Sequence, residues 1–310
     1  MIGLLVLLVI AVLVVLWLLW RPRGVLFWQS INVDGLERRY LVRSSNDGGR
    51  RKPLLLCFHG GRAQVELLAR RSGIAEAAQH RGCMVIFPEA RDGWVDLRPE
   101  RGGSPRDLDF VDALLDSVIA SNQIDPARIF AFGISNGGQF VFRLACERPR
   151  RFAGFATALS NLPVAALSLQ SGPPVPMAVV FGRRDQIMPW QGGTLRRGPG
   201  FRAGGQVMSA RATVRFWVNR NNARWQPQLR RFVSAGRPIR IEDYSAETAD
   251  GAPVRCVVIG NWGHRWPRWG GASSDGPDNF NAADLIAEFF FGLHGSSRNA
   301  TMPPARSVNA

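Results

Sequence analysis

The chain has 310 residues, 46% of them hydrophobic and 20% charged, and its net charge of +15 comes almost wholly from arginine, Lys52 being the only lysine. That length suits one large α/β domain and is short for two, and the composition excludes a disordered or low-complexity chain. The charge would draw the protein towards anionic lipid or acidic polymers, but no nucleic-acid-binding motif or basic stripe accompanies it, so nucleic acid is not an expected partner.

Residues 1–20 contain no charged side chain, and at ~1.5 Å per residue they match a bilayer core of ~30 Å. Trp17 and Trp20 suit the membrane interface, and Arg21 and Arg23 follow as a stop. A single-pass anchor through residues 1–20 is therefore expected, with a cleaved signal or a buried helix as alternatives. The arginines close behind it, Arg21, Arg23, Arg38, Arg39 and Arg43, favour the cytoplasmic side by the positive-inside rule.

Val25 to Val33, the turn Asp34-Gly35, and Glu37 to Val42 read as a β-hairpin. Pro53 to Phe58 is a short buried strand running into His59-Gly60-Gly61. Helical periodicity spans Ala63 to Arg81 and stops at Gly82. Cys83 to Phe87 is a second buried strand, followed by a polar loop through Arg106. Phe110, Val111, Leu114, Leu115, Val118 and Ile119 recur at helix spacing until Asp125-Pro126. Arg128 to Phe132 then reads as a strand and Asn136 to Glu147 as a helix. Strands over Phe152–Leu159, Met177–Phe181 and Val254–Ile259 alternate with helices over Ala210–Asn219 and Ala282–Phe291. Short apolar strands alternating with helices predict an α/β fold with a mostly parallel sheet. The catalytic domain is expected over residues 25–294, with a polar tail over 295–310. The stretch Asn161 to Pro176 is too short for a cap domain. Cys57, Cys83, Cys146 and Cys256 are far apart, lack metal-ligand spacing and read as buried free thiols. No metal or cofactor is expected.

The sequence Gly133-Ile134-Ser135-Asn136-Gly137-Gly138 lies between a strand and a helix. A G-x-S-x-G turn in that setting holds its serine in a strained conformation with the hydroxyl above the sheet edge. Among four histidines, His59 precedes the serine, while His80 and His294 lie near helix ends. His264 sits on the loop after the last strand, where such an architecture keeps its base. Of the acids between Ser135 and His264, Asp185 directly follows a buried strand, whereas Asp243 and Asp250 fall in a polar stretch expected to be solvated. Asp185 would orient the imidazole. The expected oxyanion donors are the backbone amides of Asn136 and Gly61. Trp94, Trp190 and Trp266 are candidates for a substrate pocket, with core or rim packing as the alternative. The loop from Arg196 to Arg202 could meet an acidic substrate or be a solvated loop.

Four stretches then carry a resemblance. They are Phe58-His59-Gly60-Gly61; the run from Asp125-Pro126-Ala127-Arg128 through Ser135 to Arg143-Leu144-Ala145-Cys146; Asp185-Gln186-Ile187-Met188-Pro189 with Gly192-Gly193; and Gly263-His264-Arg265-Trp266-Pro267. In order and spacing the chain resembles the polyhydroxybutyrate depolymerase-like and feruloyl or acetyl-xylan esterase-like branch of the α/β-hydrolases. The resemblance implies an α/β-hydrolase fold. It also implies a serine esterase acting on a polyester oligomer or on an aryl or acetyl ester of a carbohydrate. A peptidase or acyltransferase with the same triad, and a membrane-anchored binding protein without turnover, stay open beside it. Members of the family are commonly exported, which leans the catalytic domain towards the extracytoplasmic side, against the flanking arginines. The family often has a cysteine pair near Asn222 and Ala246, and both are missing here.

Overall fold

The structure is a computed structural model that describes residues 26–43, 51–61, 65–101, 106–121, 123–195, 204–269 and 280–293. Its centre is set by short apolar strands that bury both faces. These are β3 (Lys52–Phe58), β4 (Met84–Pro88), β5 (Ile124–Ile134), β6 (Gly154–Ala158), β7 (Met177–Gly182) and β12 (Val254–Ile259). They lie side by side in the order β4-β3-β5-β6-β7-β12, all parallel. Two hairpins extend this sheet to ten strands, while β8 (Gly193–Thr194) and β9 (Gln206–Val207) form a separate antiparallel pair. At one end β1 (Leu26–Val33) and β2 (Leu36–Arg43) add antiparallel strands beside β4. Their turn is the Asp34-Gly35 pair, with φ of 50° and 78°, as a two-residue hairpin of this twist requires.

The helices cover both faces. On one side lie α1 (Val65–Arg71), α2 (Ile74–Gln79) and α6 (Ala282–Gly292), which bury Leu68, Ile74 and Ile286 with Leu55 and Cys57 of β3. On the other lie α3 (Arg106–Ala120), α4 (Asn136–Glu147) and α5 (Ala210–Arg220), which bury Leu114, Phe140 and Val214 with Leu54, Leu56 and Phe58. Alternate residues of β3 thus feed opposite cores, the period-two rule of a strand covered twice. The expected α/β architecture with a mostly parallel, helix-flanked sheet is what the chain forms.

Three expectations need correction. The helix expected over Ala63–Arg81 is two helices. The Ser72 hydroxyl donates to the Leu68 carbonyl at 2.6 Å and accepts the Ile74 amide at 3.2 Å, while Gly73 takes φ +75°. A side chain at Gly73 would also meet Asn281 Nδ2 at 2.3 Å. The polar stretch before Val254, for which the sequence predicts no element, forms β10 (Gln228–Ser234) and β11 (Arg237–Tyr244), an antiparallel hairpin beside β12. Its turn residues Ala235 and Gly236 have φ of 47° and 71°. Asp243, expected to be solvated, accepts from Arg255 Nε at 2.6 Å and from Arg230 at 3.2 Å.

The cysteines are free thiols, with Cys57, Cys83 and Cys256 buried and Cys146 half-buried. Burial pushes the Cys146 thiol up to about 12. The segments near Asn222 and Ala246 do meet: the Glu247 amide donates to the Asn222 carbonyl at 2.8 Å, and Ala223 bridges Ala246. Among the described residues no helix is long and apolar enough to cross a membrane. Residues 1–20, on which the anchor rests, lie outside the described residues, as do His294, the 295–310 tail and the 196–202 loop.

Candidate active site

Ser135 sits at the carboxyl end of β5, between it and α4, with φ 54° and ψ −121°. A non-glycine residue in that region is strained, and the turn is held by what surrounds it. A Cβ on Gly133 would come within 2.3 Å of the Gly137 carbonyl oxygen. One on Gly137 would come within 2.3 Å of the Phe58 oxygen and 2.4 Å of the His59 oxygen. At Gly138 it would strike Ser160 Cβ at 2.7 Å. Strand, turn and helix therefore close together only because these three positions lack side chains. The Ser135 amide donates to Ala158 at 3.0 Å, and its carbonyl accepts from the Ser160 hydroxyl at 3.0 Å and from the Gln139 amide at 3.0 Å.

Loops from two neighbouring strands bring the other two residues to this serine. Asp185 follows β7 and is buried; its Oδ1 accepts the amides of Ile187 and Met188, both at 2.8 Å. That leaves Oδ2 for His264 Nδ1, at 2.7 Å. A carboxylate oxygen only accepts, so Nδ1 carries the imidazole proton and Nε2 is left as an acceptor. Nε2 lies 3.0 Å from Ser135 Oγ. The β7 and β12 loops can approach because Gly182 has no side chain: a Cβ there would meet the Trp262 carbonyl at 2.6 Å. The Arg184 amide ties them by donating to that same carbonyl at 2.9 Å. Ser135, His264 and Asp185 form one hydrogen-bonded chain at the carboxyl ends of the parallel strands β5, β12 and β7, the usual place for a site in an open α/β sheet.

Gly61 and Ser135 line the same cavity, of about 710 Å³. Asn136 begins α4, and Ser135 supplies no side-chain cap, so the first amides of that helix have no intrahelical acceptor. A Cβ at Gly60 would lie 3.4 Å from Ser135 Cβ, which measures how closely the β3 loop approaches the serine. The loop is fixed by His59, whose Nδ1 donates to the Gly60 carbonyl at 2.6 Å while Nε2 accepts the Ala90 amide at 3.0 Å. Burial pushes the His59 imidazole down to about 4, so it holds the loop as a neutral ring.

Of the three tryptophans, only Trp266 lines the cavity. Trp94 is wholly buried, stacked on Phe140 at 4.9 Å, with its indole N–H donating to the His59 carbonyl at 3.1 Å. It supports the site from beneath, which corrects its place as a substrate contact. Trp190 packs edge-on to Phe181 at 6.1 Å and between Arg183 and Arg211, away from the cavity wall. The Arg196–Arg202 loop lies outside the described residues.

Several site residues escaped the sequence reading. The apolar wall consists of Leu67, Leu68, Ile134, Leu159 and Ile187 beside Trp266. Ile134 ends β5, and Leu159 and Ile187 lie on the loops after β6 and β7, so the strand boundaries were a usable signal. The Asn136 side chain does more than follow the nucleophile. Its Oδ1 accepts the Trp94 amide at 2.8 Å, and its Nδ2 donates to the Trp94 carbonyl at 3.0 Å and to Asp96 at 2.9 Å. Asp96 in turn pairs with Arg98 at 2.7 Å, and Arg98 donates to the Gly204 carbonyl at 2.8 Å. This buried relay fastens the start of α4 to the loop after β4. Nothing in the spacing of those residues announces it.

No family model matches the chain. It is 28% identical over 257 residues to "Putative esterase NocK" of Nocardia uniformis subsp. tsuyamanensis, covering 77% of this chain and 73% of that one. It is 28% identical over 123 residues to "Probable feruloyl esterase C" of Aspergillus niger, covering 39% of this chain and 42% of the relative. It is also 25% identical over 139 residues to the bifunctional acetylxylan esterase/xylanase XynS20E of Neocallimastix patriciarum, where it spans 20% of the relative's length. Among solved structures, the acetyl xylan esterase from Aspergillus awamori superposes with a TM-score of 0.56 at 12% identity, over 86% of this chain and 99% of that one. Native pOPH gives 0.51 at 16% identity, over 89% of this chain and 91% of that one. At such identities the structural likeness speaks for the fold. The relatives in sequence carry the names of esterases, consistent with the resemblance read from the four stretches.

Proposed function

We propose that this chain is a serine carboxylester hydrolase of the α/β-hydrolase kind, using Ser135 as nucleophile, His264 as general base and Asp185 to orient the imidazole. The carrying observation is the continuous hydrogen-bonded chain from Ser135 Oγ through His264 to Asp185, at 3.0 and 2.7 Å. His264 Nε2 takes the Ser135 proton as Oγ bonds to the ester carbonyl carbon. The carbonyl oxygen becomes an oxyanion, held by the amides of Gly61 and Asn136. The helix N-terminus behind Ser135 adds favourable charge there. Each donor is worth about 3 kcal/mol at the transition state. The ester C–O bond then breaks, and the imidazolium returns its proton to the leaving alcohol. Water, deprotonated by His264, adds to the acyl carbon; the resulting tetrahedral intermediate then breaks its bond to Ser135 Oγ, which takes the proton back from the imidazolium as the acid leaves. The cavity's apolar wall and the names of the relatives favour a polyester oligomer or an aryl or acetyl ester of a carbohydrate.

A panel of acetyl, feruloyl and hydroxybutyrate esters set against matched peptide amides tests this. Hydrolysis of esters with amides untouched is expected; amide cleavage without ester cleavage would favour a peptidase, and transfer to an added alcohol in preference to water an acyltransferase.

A further inference from the structure

We infer that the preferred ester carries a negative charge on a mainly apolar acyl or alkoxy group, selected by Arg71 and Arg265. The inference rests on the serine-esterase reading of the same site. Its basis is the polar inventory of the cavity. The wall is apolar along Leu67, Leu68, Ile134, Leu159, Ile187 and Trp266. The polar groups among the lining residues, apart from the candidate catalytic ones, are already engaged. The Ser72 hydroxyl donates to Leu68 at 2.6 Å and accepts from Ile74 at 3.2 Å, and the Trp266 indole N–H donates to the Ser72 carbonyl at 2.7 Å. The indole therefore offers a bound group only its apolar face.

What remains is cationic. Arg71 and Arg265 line the cavity, both exposed, and no aspartate or glutamate lines it with them. Neither guanidinium has a carboxylate partner among the described residues. Arg38, Arg43, Arg148 and Arg255 each pair with an acid at 2.8 Å or closer. Arg265 is instead laid over the Trp262 ring at 4.9 Å, a contact that orients the guanidinium while leaving its N–H donors available. Arg71 closes the last turn of α1 and is exposed where it lines the cavity. Two guanidinium groups without a carboxylate partner among the described residues, beside an apolar cavity, fit a ligand with an apolar body and an anionic end, because guanidinium pairs well with carboxylate. A neutral ester would leave both charges as they are in the free enzyme and gain nothing from them.

The test compares matched pairs. For an anionic acyl group it sets mono-p-nitrophenyl adipate against its neutral methyl ester. For an anionic alcohol it sets 4-carboxyphenyl butyrate against the 4-methoxycarbonyl analogue. The quantity read is the ratio of kcat/KM for the anionic ester to that for the neutral one. In at least one pair that ratio should fall roughly 5-fold in Arg71→Gln or Arg265→Gln, as for one screened ion pair, and further in the double variant. Arg→Lys at both positions should recover part of it. The wild-type ratio should also drop as salt is raised. Ratios unmoved by substitution and by salt in both pairs would overturn the inference while leaving the esterase reading intact. A wild-type protein that cleaves none of the four esters would overturn both.

Discussion

His59 offers a test of the site's scaffold through pH. The ring is buried and wedged between a carbonyl it donates to and an amide it accepts from. Burial disfavours the charged ring and pushes the imidazole down to about 4; protonating Nε2 would also set an N–H against the Ala90 N–H. Unfolded, the same imidazole titrates near 6.5. As pH falls through 6.5 the unfolded chain binds a proton that the native one refuses. Stability is fully present above that value and is lost down to the folded pKa. The loss amounts to about 2 kcal/mol between about pH 8 and pH 5, and about 3 kcal/mol in full. In His59→Gln the amide can serve both partners but does not titrate. Urea unfolding at the two pH values should show the wild type losing about 2 kcal/mol more than the variant. Equal losses in the two proteins would refute the reasoning.

Gly137→Ala places a methyl 2.3 Å from the Phe58 backbone oxygen, so it should cost about 1–3 kcal/mol by urea unfolding and abolish ester turnover. Asp185→Asn keeps the shape but loses the acceptor that fixes the His264 tautomer, and kcat on an activated ester should fall on the order of 10,000-fold. The anchor expected over residues 1–20 predicts that the 310-residue chain stays with the membrane pellet at alkaline pH. Chain lacking those residues should be released, and extraction of both forms alike would remove the anchor.

The sheet was readable because its strands are short apolar runs bounded by turn residues, and the hairpin Asp34-Gly35 announced itself. The β10–β11 hairpin did not: its turn is Ala235-Gly236, and β10 exposes Leu229, Phe232 and Val233 beside Arg231, so apolar residues outside the core masked the alternation of Ile239 and Ile241. The α1–α2 break was hidden for another reason. Ser72-Gly73 interrupts an apolar period without disturbing it, and only the Ser72 side chain decides the matter. Ser135, His264 and Asp185 could be found because each follows a strand, and chain order limits the choices. Trp94 could not be placed, since whether an indole faces a cavity or a core depends on Phe58 and Phe140, which sequence spacing does not bring to it.

The central claim is that Ser135 is an activated nucleophile. Incubation of the purified protein with a fluorophosphonate probe, followed by intact mass and peptide mapping, tests it most directly. The account predicts a single adduct on Ser135 in the wild type and none in Ser135→Ala. An unlabelled wild type, or equal labelling of the two proteins, would contradict it.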